Sequence, residues 1–133
     1  MNNPLDPIFA ALAQLRADWP KRGWSWDSRL NCVASSFDAV AVEQAEAATA
    51  RAFPTVWNDK TMPQAPATIR EVGERSGGVR AGQLIYARAT DVSVISYGLW
   101  WPWGNGSTIS LRVGLEASRD YNAKLCEIFG AQP

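Results

Sequence analysis

Residues 92–103 read Val-Ser-Val-Ile-Ser-Tyr-Gly-Leu-Trp-Trp-Pro-Trp, Gly104-Asn105-Gly106 follows, and residues 107–116 read Ser-Thr-Ile-Ser-Leu-Arg-Val-Gly-Leu-Glu. Two apolar limbs around a glycine-rich loop make a β-hairpin. On the second limb Ile109, Leu111, Val113 and Leu115 alternate with Thr108, Ser110, Arg112 and Gly114, the period-2 pattern of a strand with one buried face. On the first limb Ile95, Tyr97, Leu99, Trp101 and Trp103 form the matching bulky row. A two-residue loop at Asn105-Gly106 is the usual hairpin signal, but it sets Trp101 against Ser110 and splits the apolar face. A three-residue loop of Gly104, Asn105 and Gly106 pairs Trp101 with Ile109, Leu99 with Leu111, Tyr97 with Val113 and Ile95 with Leu115. One slip in register turns every side chain over, so the three-residue loop is the expected one.

Outward from the hairpin, residues 83–90 read as a further strand, joined to it through Ala89-Thr90-Asp91, and such short connections favour an antiparallel meander. Asp6 as a cap and Pro7 at the first helical position start an N-terminal helix that ends before Pro20, with Ile8, Leu12, Leu15 and Trp19 on one face. Leu30, Cys32 and Ala34 alternate with polar residues as in a short strand. Asp38 is then placed to cap an alanine-rich helix running to about Phe53, with Phe37 and Val42 as its hydrophobic staple. Residues 54–66, with three prolines, read as an irregular loop anchored by Trp57 and Met62. A short helix over 67–75 ends at Gly77-Gly78. The last helix starts at Ser118 or Asp120, buries Tyr121, Leu125, Ile128 and Phe129, and ends at Gly130.

The expected fold is therefore a single α+β domain over residues 1–133. An antiparallel sheet of three to four strands, mainly residues 83–116, is packed on one face by the N-terminal, central and C-terminal helices. The Ile95/Tyr97/Leu99/Trp101 row is expected to meet those helices.

Composition sets limits on function. A chain of 133 residues is large enough for one hydrophobic core without staples. Thirteen basic and thirteen acidic side chains cancel, which gives no electrostatic reason to bind nucleic acid or an acidic membrane surface. There is no histidine, which removes Ser-His-Asp and Cys-His catalysis and histidine metal ligands. Cys32 and Cys126 stand far apart and in no C-x-x-C arrangement. They read as two buried thiols, with a disulfide open if the fold brings them together. The start Met-Asn-Asn-Pro-Leu-Asp lacks the basic region of a secretory signal, no apolar run suits a membrane span, and the alanine-rich composition suits a GC-rich bacterium. A cytoplasmic protein without metal or cofactor is expected.

Trp100 is the residue that this register leaves on the lightly built face with Ser110, Arg112 and Gly114. An exposed tryptophan beside an arginine has the anchor-and-rim composition of a protein interface. The expectation is a non-catalytic protein-binding module, an immunity protein neutralising a toxin or a secretion adaptor, with Trp100, Arg112, Pro102 and Trp57 at the contact. The bland alternative is that residues 54–66 fold over this face and Trp100 is satellite core. Pro102 favours an edge strand or hairpin tip, so a homodimer through that edge, or through the alanine-rich helix face, is a further option. A second functional reading is a small-molecule or carbohydrate site with Trp24, Trp26, Trp57 and Trp100 lining a cleft. A third is an enzyme using carboxylates or Tyr86, Tyr97 or Tyr121. Glu71 and Glu74 share a helix face, Asp59 lies in a turn, and Asp27, Asp91 and Glu116 stand near strand ends, but nothing ties them into a constellation.

Overall fold

The computed structural model describes residues 3–90 and 92–133. Met1, Asn2 and Asp91, the last read above both as part of a turn and as a strand-end carboxylate, lie outside the described residues. The described residues form an α+β fold with one antiparallel sheet. Its strands are β1 (Ser25–Asp27), β2 (Cys32–Asp38), β3 (Thr55–Trp57), β4 (Leu84–Ala89), β5 (Ile95–Pro102) and β6 (Thr108–Glu116). The helices are α1 (Asp6–Asp18), α2 (Val42–Ala52), α3 (Ala67–Arg75) and α4 (Asn122–Phe129). Strand order is β1-β2-β6-β5-β4-β3, and every neighbouring pair is antiparallel. None of the described helices is long and apolar enough to cross a membrane.

The sheet has six strands rather than three or four. The two additional edge strands, β1 and β3, are three residues each, too short to show a period, and β3 lies inside the segment read as an irregular loop. The segment also contains a 3-10 turn at Met62–Gln64. Asp6 does not cap α1. Its carboxylate accepts from the Asn3 backbone N–H, while Asn3 Oδ1 accepts from the Leu5 N–H. Asp38 does act as a cap, accepting from the Val40 N–H, although the first turn it caps is a 3-10 segment, Ala39–Ala41. Gly130 ends α4 with positive φ.

The hairpin register differs from the expected one by a single residue. Trp101 stands opposite Ser110, Trp100 opposite Leu111, Leu99 opposite Arg112 and Tyr97 opposite Gly114. The Trp103 N–H bonds the Thr108 carbonyl across the loop, and Asn105 Oδ1 accepts from the Ser107 and Thr108 N–H groups. The expected register assumed one buried face. The sheet instead has a core on each side, and on the α3 side the large residues Tyr97, Leu99 and Trp101 of β5 lie opposite Gly114, Arg112 and Ser110 of β6.

One core joins Val33, Phe37, Tyr86, Trp100, Leu111 and Val113 to α1, α2 and α4. The other joins Ile85, Ala87, Tyr97 and Leu99 to Ile69 and Val72 of α3. The Ile95/Tyr97/Leu99/Trp101 row therefore meets α3, not α1, α2 and α4. Ala45, Ala48 and Ala52 of α2 are buried in the first core, so that part of the alanine-rich helix is occupied within the chain, while Ala47 and Ala50 are exposed. Cys32 and Cys126 are buried, unbonded thiols.

Within the first core the rings form a continuous row. Phe129 meets Trp24 at 4.6 Å, Trp24 meets Trp19 at 5.2 Å, Trp19 meets Phe37 at 5.1 Å and Phe37 meets Trp100 at 5.6 Å between centroids. Such tilted and edge contacts add stabilisation beyond burial. The Trp19 indole N–H also donates to Ser35 Oγ, which ties the end of α1 to β2.

This register separates two neighbouring tryptophans sharply. Trp100 is 4% exposed and Trp103 is 50% exposed. Trp100→Ala is expected to cost about 3–5 kcal/mol, while Trp103→Ala should stay within about 0.5 kcal/mol of the parent. Urea denaturation followed by circular dichroism measures both; a Trp100→Ala protein as stable as its parent would contradict the register.

Candidate functional site

The sheet face on the α3 side is covered over only part of its width. The buried cluster there draws on α3, β4 and β5 and includes no residue of β1 or β2. Beyond it, register puts Ser110 and Arg112 of β6, Cys32, Ala34 and Ser36 of β2, and Ser25 and Asp27 of β1 on one half-face, open except that Ser110 and Cys32 are buried beneath their neighbours. These are small or polar residues, as a sheet surface without a helix over it requires.

Arg112 is the centre of this half-face. Its Nε lies 3.3 Å from Asp27 Oδ2, its Nη1 donates to Ser110 Oγ at 3.0 Å, and its Cζ stands 4.7 Å from the Trp101 ring centroid. Asp27 and Arg112 are 85 residues apart in sequence and meet because β1 and β6 both flank β2. Asp27 also accepts from the Arg29 backbone N–H at 3.0 Å, and the Arg29 guanidinium lies 3.5 Å from it. Burial works against the charged form of Asp27, but the hydrogen bonds from Arg112 and Arg29 outweigh it and hold the carboxyl below its ordinary value.

Cys32 pairs with Asp27 across the β1–β2 ladder. Burial, reinforced by the Asp27 charge, pushes its thiol up to about 12. Tyr97 is raised to about 12 as well, first by burial and then by neighbouring Cys32, against the opposing effect of Arg75. Both groups are therefore neutral and weakly nucleophilic at neutral pH. At this end of the strip Arg75 of α3 is ion-paired with Glu116 of β6. A cleft of about 420 Å³ opens there between Asn31, Arg75, Tyr97, Glu116 and Arg119. Asn31 has a positive φ of 52°, a conformation asparagine tolerates better than most residues. The arrangement offers stacking and directed hydrogen bonds rather than an activated nucleophile.

The residues singled out from sequence are distributed differently from expectation. Trp100 is buried among Phe37 and Tyr86 and is not a surface anchor; the one-residue change in register puts Trp101 beside Arg112 instead. Pro102 is exposed at the hairpin tip, as its missing N–H favours, but β5 is an interior strand and offers no free edge there. β4 begins at Leu84, opposite Trp100, so Pro102 lies past its end and interrupts no β4–β5 bond. Trp57, on edge strand β3, is half-buried against the α3-side core with its indole N–H unpartnered. Trp24 and Trp26 pack with the helix-side core. The four tryptophans of the carbohydrate reading thus lie in separate places, and Trp24 lines a cleft without the other three. Of the tyrosines, Tyr86 is core, and Tyr121 packs on Phe9 at 6.4 Å. Glu71, Glu74 and Asp59 are exposed.

Sequence reasoning named Arg112 and Asp27 separately and missed their pairing. The parity signal was present in the two-residue hairpin loop, which puts Trp101 opposite Ser110, but β1 carried no signal that could place Asp27. Compared with protein-family models, characterised proteins and solved structures, the chain matches none.

Two pH dependences follow from these groups. Asp27 has a lowered folded-state value, so its stabilisation is present above the ordinary value of 3.8 and is lost as pH falls through the folded one. Asp27→Asn is expected to lower stability by about 1.5–3 kcal/mol at neutral pH, with the difference from the parent closing in acid; urea titrations at neutral and acid pH check this. At the alkaline end, Cys32 and Tyr97 hold their protons in the folded state after the unfolded chain has released them. Their contribution is full below the unfolded values of 9.0 and 10.0 and is lost as pH rises towards about 12. Cys32 should accordingly resist Ellman's reagent in the native protein and react once urea unfolds it. Rapid labelling of the folded protein at Cys32 would contradict its burial.

Proposed function

We propose that this protein is a non-catalytic binding module whose ligand is another protein. The contact is made by the open half-face, from Trp103 at the hairpin tip through Trp101 and Arg112 to Arg29. One observation carries this reading: the Arg112 guanidinium is held over the Trp101 ring by Asp27 and Ser110, on a stretch of sheet where the buried cluster of the α3 side includes no residue of β1 or β2. Tryptophan and arginine dominate the energetics of protein interfaces. A guanidinium already fixed by two neighbours loses less freedom on binding than a mobile one.

The chemistry of the half-face suits a partner that is apolar at its centre and acidic at its rim. Trp103 supplies an exposed apolar ring, and two guanidinium groups share the single Asp27 carboxylate, which leaves one positive charge uncompensated. The Arg29 side chain is 79% exposed and has donors free for a partner carboxylate. An immunity protein occupying a toxin's active site, or a secretion adaptor, is the kind of role that a small domain with such a surface fits.

The test is affinity capture from the source organism with the full chain tagged at its C terminus, followed by binding measurements on the captured protein. A stoichiometric partner should bind the parent and Glu43→Gln, on the opposite side of the molecule, alike. Trp103→Ala combined with Arg29→Glu should weaken it by about 2 kcal/mol or more with unchanged circular dichroism. A partner retained by the double variant, or no stoichiometric partner at all, overturns the proposal.

A further inference from the structure

A second site lies away from the open half-face, where the chain leaves α1 and turns into β1. The helix ends at Asp18, Pro20 prevents its continuation, and Gly23 turns the chain with a φ of 90°. This turn stands off from the C-terminal end of α4 and leaves a cleft of about 570 Å³ lined by Arg16, Trp19, Lys21, Arg22, Trp24 and Ile128, among others. The volume falls in the range of small-molecule sites.

Three features of its wall point the same way. All of its charged lining residues are cationic. The ion pairs among the described residues use none of Arg16, Lys21 and Arg22. Arg16 is held in place by one bond, Nη1 to the Ile128 carbonyl at 3.0 Å, which leaves other guanidinium donors for a ligand. The remaining wall is apolar, built from the Trp19 and Trp24 rings, Ile128 and two alanines. The Trp24 side chain also bears a buried indole N–H without a hydrogen-bond partner, on a residue only 6% exposed. Buried donors are almost always satisfied, and Trp24 is a lining residue of the cleft, so this closed-off N–H lacks an acceptor that a bound oxygen would supply once the ring turns to meet it. Trp19 supplies the internal comparison, because its indole N–H is already bonded to Ser35.

We infer that this cleft binds a small organic anion, a carboxylate or phosphate carried on a flat apolar group. The anion is held by Arg16, Lys21 and Arg22, one of its oxygens accepts from the Trp24 N–H, and the flat group lies against the apolar wall. The inference is independent of the protein-binding reading, since it uses no residue of the open half-face.

The experiment is a titration of the full-length ¹⁵N-labelled protein with phenyl phosphate, benzoate, inorganic phosphate and neutral benzamide, read at the tryptophan indole N–H resonances. Phenyl phosphate or benzoate should shift the Trp24 resonance saturably and move that of Trp19 less. Inorganic phosphate should bind more weakly, and benzamide should not compete. Lys21→Gln and Arg22→Gln, both at exposed positions, should each weaken binding about tenfold, the loss of one charge-assisted hydrogen bond, without altering the thermal melt. Trp24→Phe, which keeps a ring and removes the N–H, should weaken it as well. Absence of a saturable shift with either aromatic anion, equal binding of benzamide, or full affinity in the Lys21→Gln/Arg22→Gln double variant overturns the inference. Inorganic phosphate binding as tightly as phenyl phosphate overturns the part that assigns a flat apolar group.

Discussion

The fit of two aromatic rings over two glycines in the central hairpin is the constraint on which the rest of this molecule depends. A side chain at Gly114 would drive its first carbon into the Tyr97 hydroxyl, inside any permitted contact. One at Gly98 would stand 3.2 Å from the Phe53 ring and 3.1 Å from Leu111, tighter than ordinary packing. The glycines lie on opposite faces of the sheet, so each opens room on a different side. Gly98 lets Phe53, at the end of α2, settle on β5, and Gly114 lets Tyr97 lie across β6. A large residue on one strand and none on its neighbour is how a sheet with two cores avoids overpacking either. The same logic sets Trp101 against Ser110.

From this centre, order spreads outward through the aromatic row. Trp100 stands between Phe37 and Tyr86, and the chain of contacts continues through Trp19 and Trp24 to Phe129. It links β4, β5, β2, the ends of α1 and the last helix in one packed line, so elements distant in sequence share a single set of interlocked side chains. The two edges of the sheet are treated alike. Both β1 and β3 are three residues long, and short edge strands present little backbone for unwanted pairing.

The parts of the fold that could be read from sequence are those specified locally. The bounds of α3, the glycine end of α4, the cap at Asp38 and the antiparallel order of β4, β5 and β6 come from proline, glycine, capping residues and period. The register of the hairpin could not be decided that way. The alternating row on β6 fits one buried face, and only the presence of α3 on the far side shows that the sheet has two. The expected register leaves Trp100 on the lighter face, as surface anchor or satellite core, and puts Trp101 in the row under the helices, whereas Trp100 is helix-side core and Trp101 is half-buried at the border of the α3-side core. The composition of the open face, Ser110 and Arg112 beside one tryptophan, was legible; which tryptophan was not. Asp27 escaped for a different reason, because its strand has no pattern of its own and is ordered by β2.

The location of the proposed binding surface follows from how far α3 reaches. A nine-residue helix spans about 13 Å, whereas six strands about 4.8 Å apart make a sheet roughly 24 Å across. Neither that length nor the helix diameter of about 10–12 Å covers that width, and the three helices on the other face leave none to assist it. The uncovered strands must then solve their own solvation. They do so with small side chains on β1 and β2 and by folding Arg112 onto Trp101, which shields the ring while keeping the charge hydrated on one side. Asp27 holds Arg112 there, which leaves a guanidinium–indole pair at the border between the second core and solvent. The proposed contact surface therefore sits where the second core ends, because a partner covering it would gain apolar contact without first having to order the Arg112 side chain.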